Sequence, residues 1–289
     1  MTFQEKINAG QFVRTSEVGP PKGTCLKKVI EEVLPLKGRV DALNVTDLQS
    51  SVMRMSSLAA SVRLKEAGFE PILQLTCRDR NRLALQAELL AAAAFGIRDI
   101  LALTGDHPSL GDHPQAKPVF DIDSIALVEV LKSLERGQDM NGNKLCGEPP
   151  EFFIGAAVNP GADPLEPEII KMEKKIEAGA QFFQTQAVFD LKVYDEFWSR
   201  TKHLKTPVLA GIMFLKSERM ARYMNEHVPG VSVPEELIRE MSQAQDKKSK
   251  CLEIAVRTFQ VLRSRVQGIH IMPIGWYNLL PAFLDATEK

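Results

Sequence analysis

Short runs of apolar and β-branched residues recur along the chain, and after each the apolar positions return every three or four residues. The runs are FVRTSEV (12–18), ALNVTD (42–47), PILQLTC (71–77), DILALTG (99–105), FFIGAAVN (152–159), FFQTQAVF (182–189), PVLAGIM (207–213) and IHIMPIG (269–275), eight in all. Their length and residue types predict strands. The spacing within Arg80 to Phe95 and Pro164 to Ala178 predicts helices that lay one apolar face on a sheet. Strands that alternate with helices run parallel.

An open doubly wound sheet and a closed barrel both satisfy this pattern. Eight strands in 289 residues favour the closed form, a (β/α)8 TIM barrel of the α/β class. No strand leads into GxGxxG or into GxxxxGK followed by Ser or Thr, the phosphate loops of open nucleotide-binding sheets. No repeat or long Gly, Pro or Ser linker interrupts the chain, so residues 1–289 are read as a single domain. Gly137 to Pro150 is turn-rich and leads into the fifth strand, and Val228 to Lys250 is extra helical material before the eighth.

Composition narrows the chemistry. An apolar fraction of 44% with 25% charged residues is that of a globular protein with a sizeable core. With 36 basic and 37 acidic residues the net charge is −1, so no global field draws nucleic acid or an anionic membrane. Cys25, Cys77, Cys146 and Cys251 form no CxxC pair, and most are expected to be buried thiols rather than metal or redox groups. The stretch MTFQEKINAG has no apolar core and no long apolar run follows it, so a cytoplasmic location is expected.

In a barrel of this type ligands sit at the carboxyl ends of the strands. Those ends carry Glu17, Asn44, Thr46, Asp47, Gln74, Thr76, Thr104, Asp106, Asn159, Gln184, Thr185 and Gln186. Amides and hydroxyls dominate, which suits a flat heterocycle and not a metal. Glu17, ahead of a rigid Gly-Pro-Pro turn and among uncharged neighbours, is the candidate general acid, with a capping or salt-bridged role as the structural alternative. Asp106 is a site candidate or a helix cap. Gln184 and Gln186 share one strand face, so Gln186 can reach the mouth with Gln184 beneath it. Arg78, Arg80 and Arg82 form either a phosphate clamp or a solvated helix start. Lys175 reads as one of several surface lysines, and His107 and His113 as solvated loop residues.

Taken together, SEVGPPKG, NVTD, PILQLTCRDR, LALTGDHP and EAGAQFFQTQAVFD, in this order, resemble the methylenetetrahydrofolate reductases of the short bacterial kind. The resemblance implies a flavin-bearing barrel that reduces 5,10-methylenetetrahydrofolate to the 5-methyl form, hydride passing from flavin N5 to a 5-iminium folate. It assigns Glu17 as the acid that protonates folate N10, and Asp106 as a carboxylate beside flavin and pterin. Gln186 becomes a folate contact supported by Gln184. Thr46, Gln74, Thr104, Glu168 and Lys175 become cofactor-binding positions. Gln74 and Thr104 stand where better-known members carry histidine and arginine, which leaves FAD, placed ahead of FMN, dependent on other cations such as CRDRNR. Glu218 aligns near a nicotinamide-stacking phenylalanine, so NADH or NADPH competes with an electron-delivering partner subunit as reductant. A homo-oligomer is compatible with the sequence. The alternative is a non-redox, methyltransferase-like barrel that binds a pterin or folate.

Overall fold

The computed structural model describes residues 1–288. Strands β1 (Val13–Val18), β2 (Ala42–Val45), β3 (Pro71–Thr76), β4 (Asp99–Leu103), β5 (Phe153–Val158), β6 (Phe182–Ala187), β7 (Val208–Met213) and β8 (Gly268–Met272) pair in parallel. They follow one another around a closed barrel in chain order, and β8 returns to β1. Each has both ends within three residues of the run that predicted it, and the TIM barrel is the observed fold.

The helices are α1 (Phe3–Asn8), α2 (Lys27–Val33), α3 (Ser57–Glu66), α4 (Arg82–Ala94), α5 (Ser124–Glu135) and α6 (Glu166–Ala178). After them come α7 (Leu191–Thr201), α8 (Glu218–His227), α9 (Glu235–Gln243), α10 (Lys247–Leu262) and α11 (Leu280–Thr287). The span Val228 to Lys250 is only partly helical, because α9 and the start of α10 are separated by turns from α8 and from each other. The Gly137 to Pro150 segment is a loop pinched by an antiparallel bridge between Gln138 and Lys144. Among the described residues no helix is long and apolar enough to cross a membrane.

The two-residue strand period divides each strand between two cores. Outward positions such as Leu73, Leu75, Ile100, Ala102, Ile154 and Ala156 join the helices in one large cluster, and Leu43, Val45, Ile269 and Ile271 do so in another. The alternate positions fill the barrel. At its lower end Val13, Ala42, Ile72, Leu101, Phe153, Phe182 and Leu209 are packed together and closed by Phe3 and Ile7 of α1. The Phe3 ring meets Phe153 and Phe182 edge-on, with centroids 5.7 and 5.3 Å away. A Cβ on Gly155 would lie 2.2 Å from the Phe182 ring, so glycine is the residue that leaves room for it.

Candidate active site

Above the aromatic floor the same inward rows turn polar. Asn44 and Gln184 are fully buried and exchange two hydrogen bonds: Asn44 Nδ2 donates to Gln184 Oε1 at 2.7 Å, and Gln184 Nε2 donates to Asn44 Oδ1 at 3.0 Å. Gln184 Nε2 also reaches Thr15 Oγ1 at 3.4 Å, and that hydroxyl lies 3.0 Å from His270 Nδ1. His270 Nε2 in turn faces Glu17 Oε2 at 3.8 Å. This layer satisfies buried polar groups that would each cost about 1–3 kcal/mol if left alone.

Two cavities open on the next layer up. One, about 390 Å³, is lined by Glu17, Gly19, Glu32, Arg54, Gly275 and Tyr277 among others. The other, about 320 Å³, spans the ends of β3 to β6 and takes in Gln74, Thr104, Asp106, Glu168, Lys175 and Gln186. Gln49 borders both, and its amide donates to Glu17 Oε1 at 2.8 Å. Glu17 is only partly enclosed, and where uncharged neighbours were expected it faces an imidazole and shares its cavity with Glu32 and Arg54. Burial pushes the Tyr277 phenol up to about 12; a hydrogen bond involving the Gly19 backbone opposes this, and Glu17 adds to it.

Gln186 is exposed at the mouth and Gln184 is buried below it, as the two-residue period predicts. Asp106 caps no helix among the described residues. His107 caps the short turn Pro108–Leu110, and the Asp106 carbonyl accepts from Ser51 Oγ at 3.0 Å. Gly105, with φ +92°, turns the chain so that Asp106 stands exposed over the cavity. Thr104 exchanges hydrogen bonds with Ser124, which starts α5. Thr46 Oγ1 is buried without a hydrogen-bond partner. The backbone N–H of Asn159 donates to Glu168 at 2.9 Å, fixing that carboxylate at the cavity wall.

Lys175 departs from its surface reading: it is 7% exposed and its Nζ donates to the Ala157 carbonyl at 2.7 Å. Burial pulls its ammonium below the usual lysine value, with Glu168 opposing the shift. The α6 stripe that buries Ile169 and Met172 carries Lys175 one turn on, which the helical period shows once the buried face is known.

The three arginines of CRDRNR do not form a clamp. Arg80 makes a two-pronged pair with Asp47 at 2.7 and 3.2 Å, and Asp47 also accepts from the backbone and hydroxyl of Thr76. Arg78, 2% exposed, bonds Asp79, Ser51 and the Leu48 carbonyl, so it is no solvated helix start either. Arg82 pairs with Asp121 on the surface. These cations brace the loops after β2, β3 and β4. Glu218 opens α8 and pairs with Arg222 at 2.9 Å. Cys77 and Cys251 are buried, and burial raises each thiol to about 12, whereas Cys25 and Cys146 are exposed, contrary to expectation. Among the described residues no group of His, Cys, Asp and Glu could hold a metal ion.

Sequence reasoning missed His270, Gln49 and Tyr277. His270 had a signal, since it alternates with Ile269 and Ile271 and must share the inward face. Gln49 and Tyr277 begin three-residue 3-10 turns, too short to show a period in the sequence.

The family model for methylenetetrahydrofolate reductase matches residues 2–286. Among curated proteins, methylenetetrahydrofolate reductase 2 of Schizosaccharomyces pombe is 24% identical over 94% of this chain and 44% of its own length. The 5,10-methylenetetrahydrofolate reductase of Salmonella typhimurium is 23% identical over 76% of this chain and 72% of its own. This chain thus spans less than half of the fission-yeast relative. A solved structure from Clostridium thermocellum, an uncharacterised protein that binds two copies of 5-methyl-5,6,7,8-tetrahydrofolic acid, covers 99% of this chain and 97% of its own with a TM-score of 0.63 and 15% identity.

Proposed function

The chain belongs to the methylenetetrahydrofolate reductase family, and on that premise we propose that it reduces 5,10-methylenetetrahydrofolate to 5-methyltetrahydrofolate with a bound flavin. The observation that carries the reading is the division of one barrel mouth by Gln49, with Glu17 in one cavity and Asp106 and Gln186 in the other. A proton donor thus stands beside a polar slot of the kind that holds a heterocycle.

The residues fit a flavin on two counts. Thr46 Oγ1 is an unpartnered buried hydroxyl just past the end of β2, and Lys175 offers an anion the two ammonium hydrogens that the Ala157 carbonyl leaves free. Arg78 also lines this cavity but is paired with Asp79, and Arg80 is paired with Asp47, so Lys175 is the lining cation without a carboxylate partner and the one we assign to a phosphate. A bound flavin would supply hydride to the substrate. Glu17 protonates folate N10, the five-membered ring opens and positive charge develops on the one-carbon unit. The Asp106 carboxylate stabilises that charge, and Gln186 holds the pterin by hydrogen bonds.

Glu218 is paired with Arg222 on α8, so its charge gives no ground for rejecting a dinucleotide, and the reductant is decided by kinetics. Protein purified with its cofactor is expected to show flavin absorption, with the released group identified by mass. After anaerobic reduction by NADH, NADPH or a viologen dye, methylenetetrahydrofolate should reoxidise it. Rapid bleaching by NADH or NADPH means that no partner subunit is required; bleaching by dye alone supports one. Colourless protein that binds the folate without reducing it would overturn the reading in favour of a non-redox folate-binding barrel.

A further inference from the structure

The mechanism leaves His270 unused, although it is 4% exposed and is the imidazole facing the proposed acid. Its state follows from the chain of donors beneath it. Gln184 Nε2 has two hydrogens, which go to Asn44 Oδ1 and Thr15 Oγ1. Thr15 Oγ1 accepts there, which leaves its own hydrogen to donate. His270 Nδ1 at 3.0 Å is a nearer acceptor than the Ile269 carbonyl at 3.4 Å. A neutral imidazole that accepts at Nδ1 carries its proton on Nε2, and Nε2 is the atom that faces Glu17 Oε2.

We propose that His270 is a positioning residue for Glu17: its Nε2–H is aimed at Oε2 and engages it as an acceptor in the substrate complex, so the transferable proton resides on Oε1. The inference rests on the folate-reductase reading. Oε1 is the oxygen bonded by Gln49, the residue that borders both cavities. When Glu17 is ionised, Gln49 donates to Oε1; when Oε1 carries a proton, a turn of the Gln49 amide presents its oxygen as the acceptor. One proton leaves Oε1 for the substrate nitrogen, and His270 keeps its own throughout. The inner chain ends in the closed Asn44 and Gln184 pair, whose amides do not relay protons, so it orients the carboxyl group and does not conduct protons. At 3.8 Å the Nε2 to Oε2 contact exceeds a hydrogen bond, and contacts of this kind tighten when substrate closes the site. Tyr277, Arg54 and Glu32 share the cavity, and Arg54 is held by the Pro20 carbonyl at 3.0 Å.

The test is a double-mutant cycle on the folate half-reaction of dye-reduced protein, with flavin content and melting temperature followed in parallel. His270→Phe fills the space without a donor, and misplacing the acid should slow the reaction by roughly tenfold to a hundredfold. In a Glu17→Gln background the same substitution should cost nothing more. Losses that multiply, or a His270→Phe rate equal to wild type, would overturn the positioning role. Nitrogen-15 NMR of labelled histidines gives a reading independent of turnover and of that variant's folding. One neutral histidine should show the Nε2–H tautomer, and Thr15→Val, which removes the hydroxyl that sets it, should disturb that signal. An Nδ1–H tautomer at His270 overturns the proposal. A wild type that fails to reduce the folate overturns the parent reading, and the role of His270 with it; the other adverse outcomes leave that reading standing.

Discussion

The two ends of this barrel are built from the same eight strands and the same inward rows, yet they are filled by opposite chemistry. At the floor, Phe3, Phe153 and Phe182 pack ring against ring with no polar group between them. Two residues further along, five of the eight strands place Thr15, Asn44, Gln74, Gln184 and His270 in the row, all buried. Two further on it becomes Glu17, Thr46 and Gln186 at the mouth. The floor gains stability from burial, about 1.5–3 kcal/mol for an aromatic or large aliphatic side chain. The middle layer gains little, since each hydrogen bond within it replaces one to water, but it fixes the side chains beneath the mouth. Stability and the proposed chemistry are thus stacked along one axis, and substitutions at the two ends should separate.

Phe182→Ala should give the largest effect, because it empties the floor: unfolding free energy falls by about 3–5 kcal/mol in denaturant melts. The fraction that stays folded should reduce the folate at an unchanged rate. A rate loss matching the stability loss would show that the ends are coupled. Glu17→Gln is the converse. The amide keeps shape and hydrogen bonds but has no acid proton, so folate reduction should drop by at least ~10²-fold while melting temperature and flavin content stay as they were. Full turnover in that variant would remove Glu17 from the chemistry.

Lys175→Met is a milder change at the mouth. It deletes one charged hydrogen bond to the proposed cofactor, about 1.5–3 kcal/mol, so flavin retention should weaken by roughly tenfold to a hundredfold. Equilibrium dialysis against free flavin measures it, and an unchanged affinity would place the phosphate elsewhere.

The smallest effect is expected at the lower end, where Asp99 opens β4. Burial, and then the neighbouring Glu70 carboxylate, push its carboxyl group well above the usual range. The folded state therefore holds a proton that the unfolded chain releases near pH ~3.9. Stability is full below that value and declines as pH rises towards the raised folded value. Asp99→Asn keeps a neutral donor beside Glu70 and should flatten that decline, with a higher melting temperature at neutral pH and no change in folate reduction. A pH profile of melting identical to wild type would show that Asp99 contributes nothing to it.

The strands and the barrel were legible because alternation and helical spacing are local properties: Leu73 and Leu75 bracketing Gln74, or Ile269 and Ile271 bracketing His270, declare a face without reference to anything distant. The same period placed Gln186 above Gln184, and strand ends located Glu17 and Asp106 at the mouth. Ion pairing and burial across the chain were not legible. Whether Arg80 meets a phosphate or Asp47, 33 positions away, depends on which loops the closed barrel brings together. Lys175 looks like its neighbours Lys171 and Lys174 until α6 lays one particular face against the strands. The link from Glu17 through His270 and Thr15 to Gln184 joins β1, β8 and β6, and it exists only because closure sets the last strand beside the first. The sequence by itself determined the period, and so the barrel and the two-faced strands. Charge partners, buried cations and the hydrogen-bonded interior were decided by the tertiary structure, because those interactions act over a few ångströms of space and carry no regular spacing along the chain.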